Sequence, residues 1–148
     1  MLTPDPEILA LIPHRPPFLW VDRIVDYQDD TIVTEKMIPA DLDIFTGHYP
    51  GHPIMPGVLL CEAVFQSGAL LLAKMQERGK AGIEACVPVL ARIGGARFKR
   101  SVYPGDTIVM TVKLTEMLSS AWFFSARLHV RDKLALQIDF SCTLQKAV

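Results

Sequence analysis

A histidine in a stiff loop is the first feature of this sequence that could do chemistry. His48 stands near the start of the segment 47–58, GHYPGHPIMPGV, which contains three prolines and three glycines. Prolines restrict the backbone and glycines let it approach a ligand closely, so the loop is predicted to present a group and not only to connect two elements. A neutral imidazole can accept a proton, which is the task of a general base. Taken by itself, however, a loop histidine is more often structural.

A carboxyl group inside an apolar run is the second such feature. Glu62 lies among the apolar residues of the stretch Val58–Ala73, where an unpaired carboxylate costs several kcal/mol. Two alternatives follow. Either Gln66, one helical turn later, satisfies Glu62 structurally, or the apolar surroundings favour the protonated carboxyl group, which can then donate a proton.

A base on a rigid loop and a carboxylic acid in an apolar site are the two groups that an α,β-elimination of water requires. The base removes the C2 proton of a thioester, and the acid protonates the departing C3 hydroxyl group. Negative charge that develops on the thioester oxygen needs a donor, and the amide of Gly57 or Val58 at the start of a helix would supply one. Alternatively, Gly57 only permits the turn.

The elements that must position these groups can be read from the hydrophobic pattern. The segment from Pro56 to about Arg78 is rich in Leu, Ala and Met and predicts one long helix, apolar nearly all round. Alternating residues predict five to seven strands. The predicted strand segments are 19–25, 31–37, a pair flanking Gly94-Gly95, 107–115, 122–130 and 134–144. Short breaks between the last three imply antiparallel neighbours. An antiparallel sheet wrapped around one central helix is an α+β architecture of the hot-dog type. A single sheet would leave part of such an apolar helix exposed, so we expect a dimer.

Composition excludes several other classes of protein. The 148 residues include 50% hydrophobic residues and carry a net charge of -1, which predicts a single domain over 1–148 without a general electrostatic attraction to nucleic acid. The apolar run is short for a membrane span and contains Glu62, so we expect no membrane insertion. The N-terminus lacks the pattern of a signal peptide. Three distant cysteines suggest reduced, small core residues, and hence a cytoplasmic protein.

Motifs along nearly the whole chain then point to a family. The segments 11–23 (LIPHRPPFLWVDR), 45–51 (FTGHYPG), 53–58 (PIMPGV) with Glu62-Ala63, and 97–106 (RFKRSVYPGD) resemble the FabZ type of 3-hydroxyacyl-[acyl-carrier-protein] dehydratase. The resemblance implies that the protein removes water from a (3R)-3-hydroxyacyl group on acyl carrier protein, giving trans-2-enoyl-ACP in fatty acid biosynthesis.

The resemblance also implies roles for particular residues. His48 would work with Glu62 of the other subunit of a homodimer, and the carbonyl-binding amide would belong to Gly57 or Val58. Many members assemble as trimers of dimers, so a homohexamer is implied as well. Because Glu62 stands where an isomerising branch of the family has aspartate, dehydration without isomerisation is expected. The sequence contains no nucleotide-binding fingerprint, and we expect no cofactor and no metal.

Two segments depart from the family pattern. At Leu118-Ser119-Ser120 the family often has paired arginines that help to dock the acidic carrier protein; a substitute could come from Arg97, Lys99, Arg100 and Arg78. In the segment 130–133 (VRDK), an Asp-Gly hairpin followed by a glutamate is more usual. Both departures concern the carrier and the acyl chain and not the reaction.

Competing interpretations use some of the same residues. A metal site at His48, His52 and Glu62 is disfavoured because Pro50 and Pro53 prevent the helix that such spacing needs. A hot-dog acyl thioesterase would use the helix carboxylate to promote attack by water, and a hydratase of related fold would pair Asp43 with His48. A non-catalytic acyl-binding subunit would keep only the fold. His14 and Arg15 are assigned a structural role, ordering the chain near the mouth of a tunnel.

Overall fold

The computed structural model describes residues 3–79 and 86–146 of the chain. Two helices, a 3-10 turn and seven strands follow one another in it: α1 (Pro6–Leu11), β1 (Arg23–Gln28), β2 (Thr31–Met37), the turn (Asp43–Thr46), α2 (Gly57–Glu77), β3 (Cys86–Ile93), β4 (Arg97–Phe98), β5 (Thr107–Leu118), β6 (Ala121–Val130) and β7 (Lys133–Lys146). The strands form one antiparallel sheet in the order β1-β2-β5-β6-β7-β3, and β4 also pairs with β7. This sheet with one long central helix is the predicted hot-dog fold.

Helix α2 begins and ends where the sequence predicts. Pro56 is its N-cap residue, in a position where the missing amide hydrogen of proline costs no helical hydrogen bond. At the other end Gly79 adopts a φ of 66°, a left-handed conformation that glycine accepts readily, and its amide bonds to the carbonyl oxygen of Gln76 at 3.0 Å. The predicted bounds, Pro56 to about Arg78, are therefore confirmed to within one residue.

The apolar character of α2 is explained by its place against the sheet. The helix has the length and hydropathy of a membrane span, yet 61% of that apolar window is buried within the fold. Alternate residues of β5 and β6 are buried as well, among them Ile108, Met110 and Leu128. Because both surfaces are removed from water together, helix and sheet form one hydrophobic core. The helix is thus the central core helix of the fold.

The strand predictions hold best where apolar and polar residues alternate regularly. Strands β5, β6 and β7 are confirmed and pair as antiparallel neighbours, and two strands flank Gly94-Gly95. The prediction of a strand at Leu19–Val25 is wrong in its bounds, since β1 spans Arg23–Gln28. Leu19, Trp20 and Val21 are buried, but the amide of Trp20 bonds to a side chain of α2 and not to a neighbouring strand.

The hairpin between β6 and β7 forms without the usual glycine. Arg131 and Asp132 both adopt left-handed conformations, with φ of 51° and 61°. Such a pair matches the two-residue turn that joins antiparallel strands. The side chain of Arg131 forms an ion pair with Asp106 and contacts the carbonyl oxygen of Ser101 at 3.3 Å. The two contacts hold the side chain of Arg131 in place while its backbone adopts the left-handed conformation, which is uncommon for residues other than glycine.

A glycine in the middle of α2 allows close contact with the sheet. A Cβ atom added at Gly68 would lie 2.9 Å from the Cζ atom of Phe140. Phe140 cannot move away easily, because it is buried and its ring stacks on that of Phe124 with centroids 4.8 Å apart. Gly68 therefore sets the distance between the helix and the sheet at this point.

Replacing Gly68 by alanine is expected to destabilise the protein by about 1 kcal/mol. Overpacking a filled core costs about 1–3 kcal/mol, whereas alanine is favoured over glycine in a helix by about 1 kcal/mol. Chemical denaturation measures the difference. The double variant Gly68→Ala, Phe140→Leu is the control, and it should recover part of the loss. A more stable Gly68→Ala single variant would show that the contact with Phe140 does not limit the packing.

Candidate active site

The loop that carries His48 is held by hydrogen bonds at both ends. The amide of His48 donates to the carbonyl oxygen of Ile44 at 2.9 Å, and the amide of Ile54 donates to the carbonyl oxygen of His48 at 3.1 Å. The imidazole ring stacks on Tyr49 with centroids 4.2 Å apart. The amide of Met55 then bonds to Val102 at 2.8 Å and fixes the end of the loop on the core. The proline-rich loop is therefore ordered by backbone bonds as well as by its composition.

The contacts of His48 determine which ring nitrogen can accept a proton. Nδ1 lies 2.8 Å from the carbonyl oxygen of Ile54. Since a carbonyl oxygen only accepts hydrogen bonds, Nδ1 must carry the hydrogen. In the neutral ring Nε2 is then unprotonated and is able to accept a proton. The loop thus holds His48 in the tautomer that suits a general base.

Gln66 contacts Glu62, as one of the two alternatives from the sequence predicts. Its Nε2 donates to Glu62 Oε2 at 3.1 Å and to the carbonyl oxygen of Phe18 at 2.9 Å, while its Oε1 accepts from the amide of Trp20 at 2.8 Å. Gln66 is 1% exposed, and these bonds give each polar atom of its buried amide at least one partner. One oxygen of Glu62 is thereby oriented, which leaves the other oxygen for a chemical role.

Arg15 has the structural role that the sequence suggests. Its guanidinium group donates to the carbonyl oxygens of Ile12 at 2.8 Å, His14 at 2.7 Å and Leu9 at 2.8 Å. The bond to Leu9 satisfies a carbonyl oxygen in the last turn of α1, and the other two bonds order the segment that follows the helix. The bond to Leu9 connects the segment 13–20 to α1, and the bonds of Gln66 to Phe18 and Trp20 attach it to α2.

A cavity of about 160 Å³ lies beside Glu62. Gln66 and His14 contribute polar groups to its wall, and Phe65, Leu90 and Cys142 contribute apolar surface. His48 is not among the lining residues, so a single chain brings Glu62 together with His14 but does not bring His48 into the same cavity. The contribution of His14 was not foreseen, because its distance along the sequence from Glu62 gives no signal of contact.

The start of α2 presents two free amide groups. Within the described residues, neither Gly57 nor Val58 donates a backbone hydrogen bond, whereas Leu59 and Leu60 donate to Pro56. The ring of Phe98 lies so close to Gly57 that a Cβ atom there would be 2.9 Å from it. Free amides at a helix N-terminus are suited to bind an oxyanion. Gly57 thus allows the close approach of Phe98; its φ is not in the left-handed region, so the turn itself does not require glycine.

No group of three or more His, Cys, Asp or Glu side chains that could hold a metal ion occurs within residues 3–79 and 86–146.

Comparisons with known proteins agree with the motifs in the sequence. The FabA-like domain model matches residues 12–139. The chain is 46% identical over 135 residues to the 3-hydroxyacyl-[acyl-carrier-protein] dehydratase FabZ of Chloroflexus aggregans, covering 90% of both chains. It is 42% identical over 136 residues to the protein of the same name from Caulobacter vibrioides, covering 91% of this chain and 84% of that one.

Solved structures share the architecture at much lower sequence identity. The dehydratase heterocomplex ApeI:P from Xenorhabdus doucetiae gives a TM-score of 0.75 at 12% identity, covering 94% of this chain and 91% of that one. The PaaI protein of E. coli gives 0.63 at 14% identity, with 81% and 80% covered. Likeness at these identities shows the hot-dog fold alone.

The thiols near the cavity are buried, as predicted for small core residues. Burial raises the pKa of Cys142 from 9.0 to about 11, and it raises the pKa of Cys61 as well. The folded state favours the neutral thiol, so an unfolded chain releases this proton first as the pH rises above 9. Cys142 thus contributes stability that is complete below about pH 9 and is lost as the pH approaches about 11. The side chain of Cys86 lies outside those described.

Alkylation of Cys142 by iodoacetamide is expected to be slow at pH 8 in the folded protein. The thiolate is the reactive form, so the rate should rise about tenfold per pH unit without levelling near pH 9. Peptide mass mapping assigns the modified cysteine, and circular dichroism at each pH verifies that the protein stays folded. The same reaction in urea is the control. A plateau near pH 9 in the folded state would contradict the effect of burial.

Proposed function

Because the chain belongs to the FabA-like family and to its FabZ type, it is a dehydratase of fatty acid biosynthesis, and we propose that His48 and Glu62 perform the elimination. The substrate is a (3R)-3-hydroxyacyl group carried as a thioester on acyl carrier protein, and the product is trans-2-enoyl-ACP. The observation that carries this assignment of residues is the tautomer of His48, whose Nδ1 bonds to the carbonyl oxygen of Ile54 and whose Nε2 is left as the acceptor.

In the proposed reaction, Nε2 of His48 takes the proton from C2. The electrons of the C2–H bond form the C2=C3 double bond, and the C3–O bond breaks. Protonated Glu62 gives its proton to the leaving oxygen, and water departs. Proton exchange with solvent then restores both groups. The donation from Gln66 to Oε2 supports a geometry in which the other oxygen of Glu62 faces the substrate.

The amides of Gly57 and Val58 are proposed to bind the thioester oxygen. Negative charge grows on that oxygen as the C2 proton leaves, and amides that are already oriented stabilise it without further rearrangement. Their lack of backbone partners in the described part of the chain and their position at the N-terminus of α2 support this role.

A homodimer is proposed to complete the active site. The cavity beside Glu62 is lined by Pro88 and Leu90 of β3 but not by His48. Strand β3 pairs with β7 and is the last strand in the order of the sheet, and Leu90, Ile93 and the nearby Phe98 are about half exposed. An apolar edge strand of this kind invites pairing with another chain. Pairing of two chains at β3 is consistent with an active site in which Glu62 comes from one subunit and His48 from its partner.

We further propose that three such dimers form a hexamer, that residues 1–148 act as one domain, and that the enzyme works in the cytoplasm. Sedimentation analysis of the purified protein distinguishes a hexamer from a dimer. A monomer at micromolar concentration would contradict the shared site.

A patch of three basic residues is proposed to dock the carrier protein. Arg97, Lys99 and Arg100 are exposed, and none of them forms an ion pair with another described residue. Phe98 between them packs on Gly57, so the patch adjoins the proposed oxyanion site. Arg78 does not belong to it. Arg78 stacks on Tyr27 at the far end of α2, about 30 Å along the helix from Gly57.

The variants His48→Ala and Glu62→Gln are each expected to lower kcat by about a hundredfold to ten-thousandfold, the usual contribution of a general acid or base. The ultraviolet absorbance of the enoyl thioester measures the rate with crotonoyl-ACP. His52→Ala and Glu77→Gln are matched controls, because both residues are exposed and lie in the same loop and helix. Full activity of either site variant would remove that residue from the mechanism.

A mixture of the two inactive variants, unfolded and refolded together, is expected to regain activity. In a mixed dimer one site contains His48 from one chain and Glu62 from the other. Random assembly gives roughly a quarter of the wild-type activity, since about half of the dimers are mixed and each has one intact site. The same assay measures the recovery, and each variant refolded alone is the control. No recovery in mixed dimers that form normally would place both residues of a site in one chain.

Reversing the charges of the docking patch is expected to raise KM for crotonoyl-ACP by roughly tenfold or more, because electrostatic attraction promotes encounter with an acidic partner. The triple variant Arg97→Glu, Lys99→Glu, Arg100→Glu should leave KM for the uncharged N-acetylcysteamine thioester much less affected. Reversing the exposed Lys113, Arg127 and Lys133 is the control. An equal rise for both substrates would show that the patch shapes the site and does not dock the carrier.

A further inference from the structure

Two cavities lie end to end along one side of α2. The first, of about 160 Å³, is the cavity beside Glu62. The second, of about 140 Å³, extends to Gln76. Both are lined by His14, Ala69 and Pro88, so these three residues stand at the boundary between them.

The two cavities differ in chemical character. The first has polar groups at its start, where Glu62 and Gln66 lie. Most of the wall of the second is apolar, with Leu11, Leu72 and Leu144 among its lining residues. A polar start followed by an apolar extension suits a ligand with a polar head and a hydrocarbon tail.

The helix provides a scale for this arrangement. Ala69 lies seven residues beyond Glu62, and Gln76 lies seven beyond Ala69, so each cavity spans about 10 Å along α2. An extended chain advances about 3.5 Å over three bonds. The first cavity therefore accommodates about nine carbon–carbon bonds beyond C3, and a longer chain must pass the boundary.

The imidazole of His14 is not fixed through its buried nitrogen. Nδ1 is inaccessible to solvent and has no hydrogen-bond partner in the part of the chain that the structure describes. A ring with a structural role normally satisfies such an atom, because an unpaired buried polar group destabilises the fold. Rotation of this ring breaks no hydrogen bond at Nδ1, and it would change the width of the passage between the cavities.

We propose that His14 is a specificity-determining residue, whose ring divides the two cavities and limits access of the acyl chain to the second one. The inference rests on the proposed function, since it takes Glu62 as the group next to C3. Chains of up to about twelve carbons occupy the first cavity, and longer chains turn the ring aside and extend toward Gln76.

Two variants test this proposal through the ratio of kcat/KM for the sixteen-carbon enoyl-ACP to that for crotonoyl-ACP. Ala73→Leu fills part of the second cavity, which Ala73 lines and the first cavity does not share. It is expected to lower the ratio by roughly tenfold or more, as an obstruction in an apolar pocket does. His14→Ala is expected to raise the ratio. Thr107→Leu, an exposed change on the opposite face of the sheet, is the control.

The outcomes separate this proposal from the proposed function. If Ala73→Leu folds normally and lowers kcat/KM equally for both chain lengths, the second cavity does not hold the acyl chain and the proposal is overturned. The same conclusion follows if His14→Ala leaves the ratio unchanged. If the wild type turns over neither substrate, the proposed function fails instead.

Discussion

The hydrogen bonds of the Gln66 carboxamide connect the central helix to the N-terminal segment and orient Glu62 on the same helix. The amide lies inside the central helix, bonds to the N-terminal segment at Phe18 and Trp20, and orients Glu62. A buried amide must find partners, and a partly satisfied one would destabilise the core. The side chains of Glu62 and Gln66 are therefore fixed by the same group of bonds that attaches the N-terminal segment to the helix. That segment also contributes His14 to the wall of the cavity beside Glu62.

The helix itself serves both the core and the site. Its apolar faces are buried against the sheet. Small residues allow close contacts: Phe140 packs against Gly68, and Phe98 packs against Gly57. The small side chain of Ala69 lines the cavity beside Glu62. At its start the amides of Gly57 and Val58 donate no backbone hydrogen bond to another described residue, and the rigid loop before it carries the imidazole of His48. A dehydratase needs a base, an acid and an oxyanion donor within a few ångströms of one thioester. In the proposed site the residues 48–62 supply all three groups, and the partner subunit of the proposed dimer contributes the base.

Much of the fold could be predicted from the sequence because regular patterns have regular causes. The alternation in 107–144 gave β5, β6 and β7, and the apolar segment after Pro56 gave α2. The strand at Leu19–Val25 was predicted with wrong bounds, since Leu19 to Val21 are buried before β1 begins and the amide of Trp20 bonds to Gln66 of α2 and not to a strand. The contact between Gln66 and Glu62 followed from helical spacing. The position of His14 beside Glu62 could not be predicted from the sequence, because it depends on how the N-terminal segment crosses the helix.

The central claim, that this protein dehydrates a 3-hydroxyacyl thioester while the thioester stays intact, is tested most directly by the mass of the loaded carrier. Purified 3-hydroxybutyryl-ACP is incubated with the protein, and intact-protein mass spectrometry follows the carrier. We expect an equilibrium mixture in which part of the carrier has lost the mass of one water and keeps its acyl group. Release of free carrier would indicate a thioesterase, and an unchanged carrier in the presence of folded protein would contradict the assignment as a dehydratase.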